Sequence, residues 1–253
     1  MSAVPASVVA TLQADLTSVL ATNLVAYQVL APTYRATSGQ RLGHAAEWLA
    51  GVFPRITADR PLRALDIGCA DGSHAYLLAA RGYDVTAVDF SSHMIELAVS
   101  QTRWYHFFRF RKPRRPRFLT GEFHGGVFHD ANGRTARLSD RTFDLVVANA
   151  FVHLFPEPFD RAVVRKALEL VAVHGTALFS TTIEDTREEG YFVKYQSDGT
   201  AVSRWRGHYP EEDFTQLIRD AAGSSFDMDQ PVRTTDMRGK RWITIAARRS
   251  RDE

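Results

Sequence analysis

The apolar residues of this chain follow two periods, and its turns fall where one period gives way to the other. Between Pro5 and Leu30, Val8, Val9, Leu12, Leu16, Val19, Leu20, Leu24 and Val25 recur three and four apart, as on one face of an amphipathic helix. Leu42 to Phe53 predicts a second helix, stopped by Pro54. The pattern then changes. Leu62, Ala64, Leu65 and Ile67 make a short apolar run, a turn carries Gly68, Ala70 and Gly72, and Ser73 opens a periodic segment from Ala75 to Ala80. That order predicts a strand, a tight turn and a helix. A second strand, with Tyr83, Val85, Ala87 and Val88, ends in Asp89, and Ser91 or Ser92 starts the next helix.

Further along, Arg117 to Thr120 is long enough for a third strand, and Phe123 to Asp140, with Gly125, Gly126, Asn132 and Gly133, reads as a loop or small hairpin. Asp144 to Ala148 predicts a fourth strand, Arg161 to Val173 a helix, and Thr176 to Thr181 a fifth strand. Tyr191–Tyr195 and Thr200–Trp205 flank Ser197, Asp198 and Gly199 as an inserted hairpin would. Pro210 and the acids Glu211, Glu212 and Asp213 begin a last helix in the manner that a helix dipole prefers. Strands around Phe226 to Thr234 and Trp242 to Ala247 close the sheet as an antiparallel pair, before a charged tail from Arg248 to Glu253. Strands alternating with helices predict an α/β fold, a mostly parallel sheet of seven strands flanked by helices, with the last strand antiparallel.

The turn after the first strand carries the chemistry. Small residues let backbone pass close to a ligand, and the helix start supplies unpaired N–H groups. Asp89, twenty-one residues after Gly68, can accept both hydroxyls of a ribose. Together they describe a nucleoside-binding crevice. A dinucleotide fingerprint needs Gly-x-Gly-x-x-Gly, but Ala70 and Ser73 occupy its second and third glycine positions, which argues against a nicotinamide cofactor.

The run Asp66-x-Gly68-x-Ala70-x-Gly72 resembles motif I of the class I S-adenosylmethionine-dependent methyltransferases, with Ala70 in place of the usual middle glycine. Asp89, Phe90 and Ser91, followed by Met94 to Ala98, are similar to the segment after that family's second strand. Thr142 to Asn149, continued by Phe151 to Leu154, is similar to its fourth strand and exit. The resemblance covers Arg63 to Thr182 well. It implies a Rossmann-like fold, S-adenosyl-L-methionine as cofactor and S-adenosyl-L-homocysteine as product. It further implies cofactor contacts from Asp66, Gly68, Ala70, Gly72, Asp89, Phe90 and Met94, from Glu122 and Phe123 near the adenine, and from Asn149. N-terminal helices in that family cap the pocket, so residues 1–55 are expected as a lid over a core of 60–253, with insertions at about 103–140 and 183–208, all in one domain. Tyr27, Tyr34, Tyr191 and Trp205 are then the substrate candidates, joined on the hairpin by Phe192, Tyr195, Arg204 and Arg206. His153 and His208 are the candidates for a general base.

Composition adds limits. At 253 residues and 45% apolar, the chain can bury a full core as a single domain. It has no eighteen-residue apolar run and no secretory signal pattern at its start, which predicts a cytoplasmic protein that does not enter the membrane. Cys69 is the sole cysteine, so no internal disulfide forms; placed in the turn, it reads as filler and not as a nucleophile. Net charge is +2, which calls for no polyanion. One local stretch differs. From Arg103 to Phe118, seven cations alternate with Trp104, Tyr105 and four phenylalanines, without an acid. This suits a single-stranded nucleic acid, a small anionic aromatic compound, or a surface helix that buries its aromatic side. The balanced overall charge favours the last. His124, His129 and Asp130 lie on the loop after the third strand without a third convincing ligand, and no metal is expected.

The sequence therefore predicts methyl transfer to a small-molecule acceptor at oxygen, nitrogen or carbon, in specialised or peripheral metabolism, by a monomer or homodimer. An RNA methyltransferase using the basic stretch and a cofactor-binding protein without turnover are the alternatives. Asn149 is followed by Ala150 and Phe151, not by the Pro-Pro-Tyr or Pro-Pro-Phe that marks methylation of exocyclic amines.

Overall fold

The structure, a computed structural model, describes residues 6–34, 61–105, 114–139, 141–196, 198–236 and 238–250. The expected helix over Leu42 to Phe53 and the centre of the basic aromatic stretch lie outside these residues. Helix α1 (Ala6–Tyr34) leads into β1 (Arg63–Ile67), α2 (Ser73–Ala80), β2 (Asp84–Asp89), α3 (Ser92–Tyr105) and β3 (Arg117–Thr120). A hairpin of β4 (Val127–His129) and β5 (Thr135–Arg137) precedes β6 (Phe143–Asn149), α4 (Phe159–Glu169) and β7 (Val171–Thr182). After these come β8 (Glu188–Tyr195), β9 (Ala201–His208), α5 (Glu211–Ala222), β10 (Phe226–Met228), β11 (Val232–Thr235) and β12 (Arg241–Arg249).

The main sheet runs β10-β12-β7-β6-β1-β2-β3-β4-β5, with β11 also on β12. Strands β3, β2, β1, β6 and β7 are parallel, and β12 runs antiparallel to β7. The chain leaves β1 toward β2 and later returns to place β6 on its other side. Such a reversal opens a crevice beyond the strands' C-terminal ends. Side chains alternate between two cores as strand geometry requires. Leu65, Ile67, Val146, Phe179 and Ile245 pack with Val163 and Val164 of α4 and with Phe214 and Ile218 of α5. Ala64, Val85, Leu145 and Leu178 pack with Ala75, Tyr76 and Leu78 of α2.

The mostly parallel sheet with an antiparallel last strand agrees with expectation; its ten strands exceed the predicted seven. The loop after β3 forms a hairpin that extends the sheet edge. The predicted strand over Phe226 to Thr234 is interrupted: Met228 faces Ala247 and Val232 faces Thr244, so four steps on one side meet three on β12. Pro231, which has no N–H to donate, lies in that gap. The helix predicted to reach Val173 stops at Glu169, because Val171 already pairs with Phe143. His174, at φ 62°, and Gly175 then shift the register, so that Thr176 faces Leu145. Among the described residues no helix is long and apolar enough to cross a membrane.

Candidate functional site

Beyond the ends of β1, β2, β3 and β6 lies a cleft of about 440 Å³. Gly68, Val88, Asp89 and Phe90 form its floor; Gly121, Glu122, Phe123 and His124 line one side, and Phe151, Leu154 and Phe155 another. Leu20 and Asn23 of α1 close it from above.

The turn from Gly68 to Gly72 is tied to β2 by its backbone: the Gly68 and Cys69 N–H groups donate to the Val88 carbonyl at 2.9 and 3.0 Å. Asp89 is the second tie. Its carboxylate accepts the Ala70 N–H on one oxygen and the Ser91 N–H on the other, both at 2.9 Å. Each oxygen keeps a further acceptor position, and Asp89 lines the cleft. Gly68 holds φ 69°, and a Cβ there would sit 2.7 Å from Phe151 Cδ2. Ala70 holds φ 46°, a left-handed conformation that costs an alanine roughly 1 kcal/mol. Ala70→Gly is therefore expected to raise stability by about 0.5–1 kcal/mol, read as a higher midpoint in urea unfolding.

Three carboxylates surround this turn. Asp66 and Asp71 each have one buried oxygen without a hydrogen-bond partner, while the other Asp71 oxygen accepts the Ser73 hydroxyl at 2.7 Å. Burial first, then the Asp89 charge, pushes Asp66 up to about 7. Burial also pushes Asp89 up to about 6, against its backbone N–H donors. Burial and the same three acids hold the Cys69 thiol well above its ordinary range, which leaves it inert as a nucleophile.

The other wall is aromatic. Phe123 and Phe151 meet edge-on at 5.6 Å, and Phe151 and Phe155 at 5.0 Å. Phe90 meets Tyr27 at 5.8 Å, and Tyr27 meets Tyr34 at 6.4 Å. Asn23, buried on the apolar stripe of α1, donates to the Leu154 carbonyl at 3.4 Å and accepts the Trp205 backbone N–H at 2.8 Å. Helix α1 is thereby pinned both to the cleft wall and to the β8–β9 hairpin.

Of the cofactor candidates, Gly68, Asp89, Phe90, Glu122 and Phe123 come together on the cleft, with Ala70 and Gly72 in the turn beside it and Asp66 at the end of β1 behind that turn. Met94 is fully buried in the core, and the Asn149 carboxamide accepts the Ser180 hydroxyl at 2.7 Å; neither lines the cleft. His153 is buried with Nδ1 3.2 Å from Thr181 Oγ1, and burial followed by Arg206 and Arg204 holds it well below the usual histidine range. His208 stacks on Phe192 at 4.5 Å, with Nδ1 4.0 Å from Glu188; burial and then Arg206 lower it. Both histidines are outside the cleft lining. Tyr191, half exposed, stands edge-on to Trp205 at 5.2 Å. His129 is exposed on β4, and Asp130 accepts the Asn132 and Arg134 N–H groups. Among the described residues no group of three or more metal-ligating side chains converges.

Sequence reasoning missed Asn23, His124 and the Phe151–Phe155 wall as site residues. Asn23 had left a signal, a polar residue on the stripe of Leu16, Val19, Leu20, Tyr27 and Leu30. The His124 ring stands against Phe159 at 5.7 Å, and its carbonyl accepts from Lys166 Nζ at 2.8 Å; no local pattern announces that.

A family model described as a methyltransferase domain matches residues 39–223. A DhpI–SAH complex aligns with a TM-score of 0.65 at 16% identity, covering 92% of this chain and 98% of that one. A SAM-dependent methyltransferase from Methanosarcina mazei aligns at 0.60 and 21%, covering 79% and 99%. Magnesium protoporphyrin IX methyltransferase, ChlM, from Synechocystis PCC 6803 with bound SAM aligns at 0.54 and 17%, covering 86% and 82%. At these identities the likeness is one of fold. No curated protein matches the chain.

Proposed function

The chain belongs to the methyltransferase-domain family, and from that premise we propose that it transfers a methyl group from S-adenosylmethionine to a small-molecule acceptor in specialised metabolism. The observation that carries this reading is the joining of the left-handed turn to the Asp89 carboxylate at the floor of a cleft of about 440 Å³. The remaining acceptor positions of Asp89 suit the two ribose hydroxyls. Phe90 and Phe123 offer apolar faces for a purine, and Glu122 can accept from its amino group. The Cβ-less Gly68 lets Phe151 pack against the turn at the cleft. Asp66 lies behind the turn, so its unpartnered oxygen acts through its field, which favours a cationic ligand.

When bound, the sulfonium supplies a methyl group that is already activated: the sulfur–carbon bond breaks toward sulfur, the acceptor's lone pair forms the new bond, and the acceptor gives up a proton. The protein's part is then to align and to exclude water, and alignment alone contributes roughly 7–11 kcal/mol. Helix α1, held by Asn23, serves as the cover. ChlM, a relative in fold, methylates a small molecule by its name.

Thermal unfolding with S-adenosylhomocysteine, S-adenosylmethionine or NAD tests this. At a hundredfold its dissociation constant, S-adenosylhomocysteine should stabilise by about 2.7 kcal/mol. Asp89→Ala should lose most of that response, and NAD should give none. Stabilisation by NAD alone, or an Asp89→Ala response equal to wild type, refutes the reading.

A further inference from the structure

Beside the cleft, three cations stand together, and among the described residues no carboxylate is bonded to any of them. Arg204 and Arg206 are two apart on β9 and so share a face. Arg206 is half-buried; its Nη2 donates to Thr182 Oγ1 at 2.5 Å, while its buried Nε has no partner. Arg204 Nη1 donates to the Tyr27 hydroxyl at 3.4 Å. Lys240 precedes β12, whose Trp242 pairs with Thr182, and so belongs to the same end of the sheet. Among the described residues Arg161, Arg187, Arg233, Arg241 and Arg248 have ion-pair partners, and Arg204, Arg206 and Lys240 have none.

We propose that Arg204, Arg206 and Lys240, with the Thr182 and Tyr27 hydroxyls, form the binding site for an oxyanion group, carboxylate or phosphoryl, on the methyl acceptor. The assignment to the acceptor rests on the methyl-transfer reading; the anion site itself does not. The charge balance supports it. The cations repel one another: burial, then Arg204, brings Arg206 down to about 10, and burial, then Arg206 and Arg204, lowers Lys240. The acid that opposes both is Glu184, which is exposed to solvent. With Asp236 also acting on Lys240, three cations face two carboxylates, which leaves an excess of positive charge that an anion would relieve. Guanidinium forks and hydroxyl donors are the groups that hold planar carboxylates and phosphoryl oxygens.

Placement joins this site to the cleft. Tyr27 meets Phe90, a cleft residue, with its ring and Arg204 with its hydroxyl. An acceptor anchored at the arginines would therefore extend past Tyr27 toward the cleft. Thr182 ends β7, on the edge of the sheet where a methyl donor would lie.

The test is thermal unfolding of the whole protein with S-adenosylhomocysteine present, comparing potassium phosphate, malonate and chloride at matched ionic strength. Phosphate or malonate at ten times its dissociation constant should raise the midpoint by about 3–5 °C over chloride. Arg206→Met should lose that increment while keeping the S-adenosylhomocysteine shift. Lys240→Met, in the turn before β12, should weaken the response and provides the readout if the arginine variant does not fold. A response to phosphate alone assigns a phosphoryl group, and to malonate alone a carboxylate. The proposal is overturned if neither anion exceeds chloride, or if the variants respond as wild type does. An anion response without an S-adenosylhomocysteine shift would keep the site and remove the methyl-transfer reading.

Discussion

Gly72→Val is expected to destabilise the protein by about 3–6 kcal/mol, enough to lower its unfolding midpoint by roughly 10 °C or more. Gly72 holds φ 75°, where a β-branched residue is strained in any surroundings. Space is lacking as well. A Cβ would stand 2.9 Å from Ala98 Cβ and 3.0 Å from two Phe118 ring atoms. Neither neighbour can yield. Ala98 is fully buried and its carbonyl accepts the Tyr76 hydroxyl at 2.8 Å; the Phe118 ring lies against Tyr76 at 5.6 Å. Thus α2, α3 and β3 converge on a residue that must have no side chain. Gly72→Ala should fall at the lower end of the range, since it adds the clash without β-branching. Urea unfolding of both variants provides the check: a Gly72→Val midpoint near that of wild type would mean that these helices do not pack on the turn.

The same turn shows why so much of the floor could be read from sequence. Gly68, Ala70, Gly72 and Ser73 act within a few residues of one another, and the apolar periods on either side change there. Asp89 was legible because a strand of ordinary length ends on it. The cover and walls were less so. Asn23 meets Leu154 and Trp205 from 131 and 182 residues away, a juxtaposition that no local pattern records. His153 was placed at the right end of the sheet, but its direction inside the short helical turn Val152–Leu154 is set by Thr181, on a different strand. The overrun of α4 has a local cause instead. Val171 and Val173 fit a helical stripe as well as a strand, and pairing of Val171 with Phe143 decides between them. The arginines of the hairpin were visible as residues; their lack of ion-pair partners was visible only in the fold.

Between pH 5 and 8 the ligand-free protein should lose stability through Asp66, by roughly 2–4 kcal/mol. Asp66 is buried, and folding raises its pKa from 3.8 to about 7. The sign follows from proton counts. Between these values the folded state keeps a proton that the unfolded state has released, so unfolding gives up protons and becomes easier as pH rises. The penalty is absent below the unfolded value and complete above the folded one. Asp89, raised to about 6, adds in the same direction over a narrower window. His153 opposes both, because its pKa is lowered: its share of stability grows as pH rises and is complete above the usual histidine value of 6.5. The Asp66 part is therefore isolated by comparing wild type with Asp66→Asn across the range. Asparagine resembles the protonated acid and should be the more stable protein at pH 8, with the difference vanishing toward pH 4. Saturating S-adenosylmethionine should narrow the gap at pH 8, since its positive charge favours the ionised carboxylate that asparagine lacks. A gap that is flat with pH, or an Asp66→Asn variant weaker at pH 8, would show that Asp66 is ionised and satisfied in the folded protein, and the expected loss of stability through Asp66 would go with it.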